Sequence, residues 1–194
     1  MADNVAIKDK TIMLDDILAC DADERYEIIR GELRPIAPVG MEQHIVAGNI
    51  YDILRMFTKQ NKLRYVFMDG LLYLMGQREG GVKGALVPDV SFVRADAMPK
   101  PEDWDWHRPF PDAPTLAVEI MSPSDQAETV QEKVRIYFEG GTRQVWVVFP
   151  SLRMVHQDTA PKQVIIYSAD EQIGGLDDVS PGLTFDIASI FAQN

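Results

Sequence analysis

Apolar residues follow two rhythms along this chain. Between Met41 and Lys62, the positions Val46, Ile50, Ile53, Leu54 and Phe57 recur every three or four residues and mark one face of an amphipathic helix. A shorter stripe, Met13, Leu14, Ile17 and Leu18, predicts a helix over 11–20 that Thr11 can cap. The stretch RYEIIRGELRPIAP, 25–38, alternates imperfectly and predicts a β-hairpin turning at Arg30, Gly31 and Glu32. Three strand-like segments follow the long helix: YVFMDGLLYLMG (65–76), LVPDVSFVR (86–94) and TLAVEIM (115–121). A polar loop rich in Pro and Trp, 95–114, separates the last two, and loops of that length tend to be functional or mobile.

A second long helix is predicted from Ser124 to Glu139, with Ser122, Pro123 and Asp125 as its capping box and Gly140 and Gly141 as its stop. The apolar run VWVVFP (145–150) reads as a central strand, RMVHQD and QVIIYS extend the sheet, and LTFDIASIF ends the pattern. This order predicts an α/β (α+β) architecture: one central mixed sheet flanked by helices, an N-terminal hairpin, and a single domain over 1–194. The second helix would be a right-handed crossover between parallel strands at Leu116–Met121 and Val145–Phe149.

Composition narrows the function classes. With 46% hydrophobic and 25% charged residues the chain is ordinary for a globular protein. No apolar run reaches the length of a membrane span, the first residues lack the order of a secretory signal, and Cys20 is the sole cysteine, so a cytoplasmic location is expected. A formal net charge of -11 argues against a general grip on nucleic acid. A local basic stripe exists nonetheless. Arg55, Lys59 and Lys62 share one helix face, and Arg64, Arg78 and Lys83 follow; the stripe reads either as a solvated face or as a contact surface.

The candidate chemistry lies in two strands. Glu119 sits among Leu116, Ala117, Val118, Ile120 and Met121, and Asp89 sits inside LVPDVSF. A carboxylate in an apolar strand is costly unless it is paired or bound to a metal. Two such acids on neighbouring strands would raise a proton affinity or collect a cation, and oxygen ligands with the Ile120 carbonyl suit Mg²⁺. Lys133 borders the face of the second helix defined by Val130, Val134 and Tyr137. It reads as a surface lysine or as a cation reaching the acids. Glu27 is a further acid in an apolar strand, and an edge position explains it equally well. His44 opens the long helix, either as a phosphate contact or with no role. His44, His107, His156 and Cys20 are too scattered for zinc; GQREGGVKGA is no phosphate loop, and MSPSD is no nucleophile elbow.

VPD at 87–89, VEIMSPS at 118–124, Lys133 with IYFEGG at 136–141, VWVVFP at 145–150 and the hairpin YEIIRGEL together resemble the Uma-two family of bacterial restriction-endonuclease-like proteins, long a domain of unknown function, in the PD-(D/E)XK nuclease superfamily. The resemblance runs from about Tyr26 to Pro150. It implies a restriction-endonuclease-like core in which Asp89 and Glu119, with the Ile120 carbonyl, bind Mg²⁺ or Mn²⁺. The superfamily lysine two residues after the second acid is replaced here by Met121, and the family's helix lysine maps to Lys133, with Glu27 completing the site. The implied activity is metal-dependent hydrolysis of DNA, with His44, Arg55 and Lys59 on the substrate side. A homodimer is expected on family grounds and because dimers are the commonest assembly. Thr129 and Gln144 stand where relatives often carry acids. A nuclease fold that lost the reaction and serves as a binding or scaffold protein would show such changes, and the loop with Trp104, Trp106 and Phe110 would then be its first surface to test. An enzyme on a small phosphorylated substrate, lidded by that loop, is a third reading.

Overall fold

The structure is a computed structural model that describes residues 25–75, 82, 84–123, 125–174 and 179–193, apart from the side chain of Arg64. The helix expected over 11–20, and Arg78, Lys83 and Ser124, lie outside the described residues.

The element order is β1 (Tyr26–Ile29), β2 (Glu32–Pro35), α1 (Met41–Gln60), β3 (Arg64–Met68), β4 (Tyr73–Met75), β5 (Gly84–Leu86), β6 (Val90–Arg94), β7 (Leu116–Ile120), α2 (Ala127–Gly140), β8 (Gln144–Phe149), β9 (Met154–Ala160), β10 (Gln163–Ser168), β11 (Gln172–Ile173), β12 (Phe185–Asp186) and α3 (Ile187–Ile190). Six strands form the central mixed sheet in the order β10-β9-β8-β7-β6-β3. Among the described strands only β7 and β8 pair in parallel, and α2 connects them as expected. β11 and β12 pair separately.

The hairpin carries more than the sequence indicated. It continues into a second, four-stranded sheet, β2-β1-β5-β4. Two segments that each read as one strand are divided between the sheets: 65–76 holds most of β3 and all of β4, and 86–94 holds the last residue of β5 and all of β6. The breaks have local causes. Gly70 adopts φ 111°, which favours glycine. Pro88 has no N–H to give to a ladder. The hairpin turn is tighter than expected: Arg30 and Gly31 both take positive φ, the requirement of a two-residue turn, and Glu32 already belongs to β2.

Period-2 alternation in β7 and β8 assigns each residue to one of two cores. Val118, Ile120, Trp146 and Val148 face α1 and pack with Val46, Ile50 and Leu54. Ala117, Val145 and Val147 face the other way, against Val130, Val134 and Tyr137 of α2. Glu119 must share the α2 side with Ala117. This is what brings the acid under the helix that carries Lys133.

The start of α2 differs from the expectation. The helix begins at Ala127 after Gln126, and no side chain caps it. Ser122 and Asp125 form a turn ahead of it, in which the Ser122 N–H donates to Asp125 Oδ2 at 2.6 Å. The helix ends as expected: Gly141 takes φ 104° and its N–H returns to the last turn. The long loop is pinned at Phe110, whose N–H donates to the Leu72 carbonyl and whose carbonyl accepts from Leu74. Trp104 and Trp106 of this loop line a small apolar pocket with Tyr65 and Phe67.

Candidate active site

The register between β6 and β7 pairs Val90 with Val118 in antiparallel fashion. Continued by one residue, it sets Asp89 opposite Glu119, on the face covered by α2. The two segments also touch directly: the Ile120 N–H donates to Asp89 Oδ2 at 2.6 Å. The other oxygen of Asp89, Oδ1, makes no hydrogen bond to the described residues. Glu27 arrives from β1, with Oε1 accepting the Val87 N–H at 2.9 Å. The hairpin is thus tied to the strand break that precedes Asp89.

Lys133 resolves its two readings in favour of the interior. Its Nζ lies 2.6 Å from Glu119 Oε2 and 3.0 Å from Glu27 Oε1. The second oxygen of Glu119, Oε1, accepts from the Tyr137 hydroxyl at 2.6 Å. Tyr137 lies one turn after Lys133, so a single helix face supplies both partners of Glu119.

The electrostatics are those of a buried group with too few cations. Glu27 and Glu119 are each 8% exposed. Three carboxylates, Glu27, Asp89 and Glu119, share one ammonium. Burial pushes the Asp89 carboxyl up to about 6, with the Ile120 N–H and Lys133 opposing. Burial also raises Glu119, against the pull of Lys133 and with the help of Glu27 and Asp89. Burial alone would lower Lys133, but Glu119 and Glu27 outweigh it and raise its proton affinity. Asp89 and Glu119 hold their protons more tightly chiefly because burial penalises the charged form, and the neighbouring acids add to it.

These residues line a cleft of about 910 Å³ that also includes Arg25, Arg34, Gln43, His44, Asp69, Ile120, Asp125 and Thr129. Five carboxylates and three Lys or Arg side chains line it. All three cations are already engaged: Lys133 with Glu119 and Glu27, Arg25 in a bidentate pair with Asp69, and Arg34 with Glu32 outside the cleft. His44 is exposed at the wall. Arg55 and Lys59 are not part of the cleft. Lys59 lies fifteen residues past His44 along α1, roughly 22 Å at the helical rise. The Ile120 carbonyl faces the cleft but already accepts from Gln43 Nε2 at 3.3 Å, which uses one of its two lone pairs.

Among the described residues no group of three or more His, Cys, Asp and Glu side chains is placed to hold a metal ion. The donor set nevertheless fits a hard divalent ion. Two facing carboxylates, a carbonyl and open cleft volume for water are the oxygen ligands that Mg²⁺ takes, and the excess of carboxylates over cations has the right sign.

The family model for Uma2, described as "Putative restriction endonuclease", matches residues 14–188. The chain belongs to the Uma2 family. It is also similar in structure to a putative nuclease belonging to DUF820 from Anabaena variabilis, with a TM-score of 0.77, 18% identity, and coverage of 93% of this chain and 97% of that one. At that identity the likeness speaks for the fold, and the restriction-endonuclease-like core expected from the sequence is present. Comparison with curated proteins gives no match. Membership of Uma2 supports a nuclease-like function.

Other residues of the site carry a weaker mark in the sequence, or none. Tyr137 reads there only as part of a buried face, although its place one turn after Lys133 is the available signal. Gln43 stands three residues into α1, where its Oε1 accepts the Gly40 N–H at 2.7 Å. A glutamine at that position is a helix-start signal, but its reach to Ile120 depends on packing. Arg25 and Asp69 are 44 positions apart and carry no local signal.

Proposed function

We propose that this Uma2 chain is a divalent-metal-dependent endonuclease that hydrolyses DNA phosphodiester bonds in the Glu119 cleft. The observation that carries the reading is the opposition of Asp89 and Glu119 on one sheet face, with the buried Glu27 and Glu119 and the half-buried Asp89 served by one lysine. Asp89 and Glu119 would hold Mg²⁺ or Mn²⁺, with the remaining lone pair of the Ile120 carbonyl and water completing the ligands. Such an ion, when bound, supplies Lewis-acid polarisation of a phosphoryl oxygen and a water of lowered pKa.

The chain's own groups prepare that site. The Tyr137 hydroxyl and the Lys133 ammonium fix the rotamer of Glu119, and the Ile120 N–H fixes Asp89. Lys133 also keeps a positive charge beside the acids, where negative charge develops during phosphoryl transfer. His44 at the cleft wall is the candidate phosphate contact. Arg55 and Lys59 lie far enough along α1 to meet only flanking nucleic acid. The acidic balance of the cleft supports a need for metal, because a phosphate diester would otherwise be repelled. A single domain over 1–194, a cytoplasmic location and a homodimer belong to the same proposal. Among the described residues no helix is long and apolar enough to cross a membrane.

A second reading, a binding or scaffold protein, is favoured by one observation: Lys133 already bridges Glu27 and Glu119 without a metal. Thr129 also lines the cleft where relatives often place an acid. The Gln144 departure has less bearing, since that side chain is buried in the core against Gln157. The two readings separate in one experiment. Mg²⁺ and Mn²⁺ are titrated by calorimetry into wild type, Asp89→Asn and Glu119→Ala, with plasmid and single-strand cleavage followed on the same samples. Metal-dependent cleavage lost in both variants supports the nuclease. Absence of metal binding in the wild type sinks it and leaves the scaffold.

A further inference from the structure

The free edge of the central sheet is unusual for an edge. Among the described residues β10 is its outermost strand, paired only with β9. Val164, Ile165 and Ile166 in this strand are 48%, 42% and 49% exposed. They alternate, so apolar surface is presented on both faces of the strand. Edge strands in monomeric proteins are commonly blunted by charge, proline or a bulge. QVIIYS has neither charge nor proline. The irregularity in the hairpin lies on β9: Gln163 pairs with Ala160 and Val164 with Asp158, so the extra residue is Thr159 and β10 itself runs regular.

The charges lie just beyond the two ends of the strand. Lys162 precedes β10, and Asp170 and Glu171 follow it. A strand with a cation at one end and anions at the other is complementary to an antiparallel copy of itself. A twofold axis normal to the sheet preserves the faces, so one residue must sit on the axis. With Ile166 there, Ile165 lies opposite the partner's Tyr167 and Val164 opposite the partner's Ser168, so the turn that carries Lys162 comes beside the partner's turn that carries Asp170 and Glu171. With Ile165 on the axis, Lys162 would instead face the partner's Ser168, and the end charges would go unmatched.

We propose that β10 is a self-association surface, at which a second copy of this chain adds its own β10 antiparallel about an axis through Ile166. The two central sheets would become one continuous sheet of twelve strands. Two Ile166 side chains would meet at the axis, and a Lys162–Asp170 ion pair would close each end. Main-chain hydrogen bonds along the free edge give affinity, while the end charges select the register.

Sedimentation equilibrium of the full chain at micromolar concentration tests this. The wild type is expected at twice the chain mass of 21.8 kDa. Ile166→Lys, at an exposed position, sets two ammonium groups against each other and weakens the dimer by roughly a hundredfold or more. Lys162→Glu alone and Asp170→Lys alone each weaken it by roughly three- to tenfold, and the double exchange restores it. Far-UV dichroism checks that each variant is folded. A monomeric wild type overturns the proposal. A dimer indifferent to Ile166→Lys also overturns it, because the interface then lies elsewhere. A dimer broken by Ile166→Lys but indifferent to the charge exchanges overturns the register.

Discussion

Asp89 lets the cost of a prepared metal site be measured directly. The ordinary value of its carboxyl is 3.8, and burial raises it to about 6. At about 1.4 kcal/mol for each tenfold in proton affinity, ionised Asp89 costs the folded apoprotein about 3 kcal/mol. Between these two values the folded state binds the proton more tightly than the unfolded chain. Stability therefore falls as pH rises through this window, and the full cost applies above about pH 6. Asp89→Asn removes the charge at every pH, and its amide oxygen can still accept the Ile120 N–H that lies 2.6 Å away. Without divalent metal, the variant is expected to be more stable than wild type by about 3 kcal/mol at pH 8 and by less than about 1 kcal/mol at pH 4.

Urea denaturation in chelator, followed by tryptophan fluorescence, reads the difference. With a slope of about 2 kcal/mol per molar urea, the midpoint at pH 8 moves up by roughly 1.5 M. Mg²⁺ or Mn²⁺ at a thousand times Kd should reverse the ranking, because only the wild type gains from binding, by about 4.1 kcal/mol. Equal midpoints at pH 8, or one constant difference from pH 4 to pH 8, would refute the argument that burial of Asp89 is what costs.

Lys133→Met leaves Glu27 and Glu119 buried without their cation. It is expected to destabilise the apoprotein by about 3–5 kcal/mol at pH 8, and by less in acid as Glu119 takes up a proton, which thermal melts across pH will show. Tyr137→Phe removes one donor to an ionised carboxylate. A loss of about 1.5–3 kcal/mol is expected in urea, with weaker metal binding by calorimetry and no change in secondary structure by dichroism.

Much of the site is legible in the sequence. Glu119 and Asp89 stand out because a carboxylate in an apolar strand needs a partner, and local sequence is enough to raise that need. Lys133 is legible as a position, since helical periodicity puts it beside a buried face. Its destination is not, because a lysine at the border of a face can turn outward or inward. The inward turn is toward Glu119 and Glu27 together, and Glu27 comes from a hairpin more than a hundred residues earlier. The start of α2 departs from its sequence pattern for a related reason. Ser122 and Asp125 have the chemistry of a capping box, and they use it to close a turn ahead of the helix.

Sequence by itself determined the elements, the parallel β7-α2-β8 unit and the identity of the two central acids. These rest on periodicity, on turn chemistry and on the cost of burying charge, all of which act over a few residues. Tertiary structure alone decided that 65–76 and 86–94 each divide between two sheets, that Glu27 meets Lys133, that Gln43 holds the Ile120 carbonyl, and that Arg25 neutralises Asp69. Each of these depends on how sheets and helices dock. A strand's periodicity states which side chains share a face, but the element that will cover that face is set by packing across the whole chain.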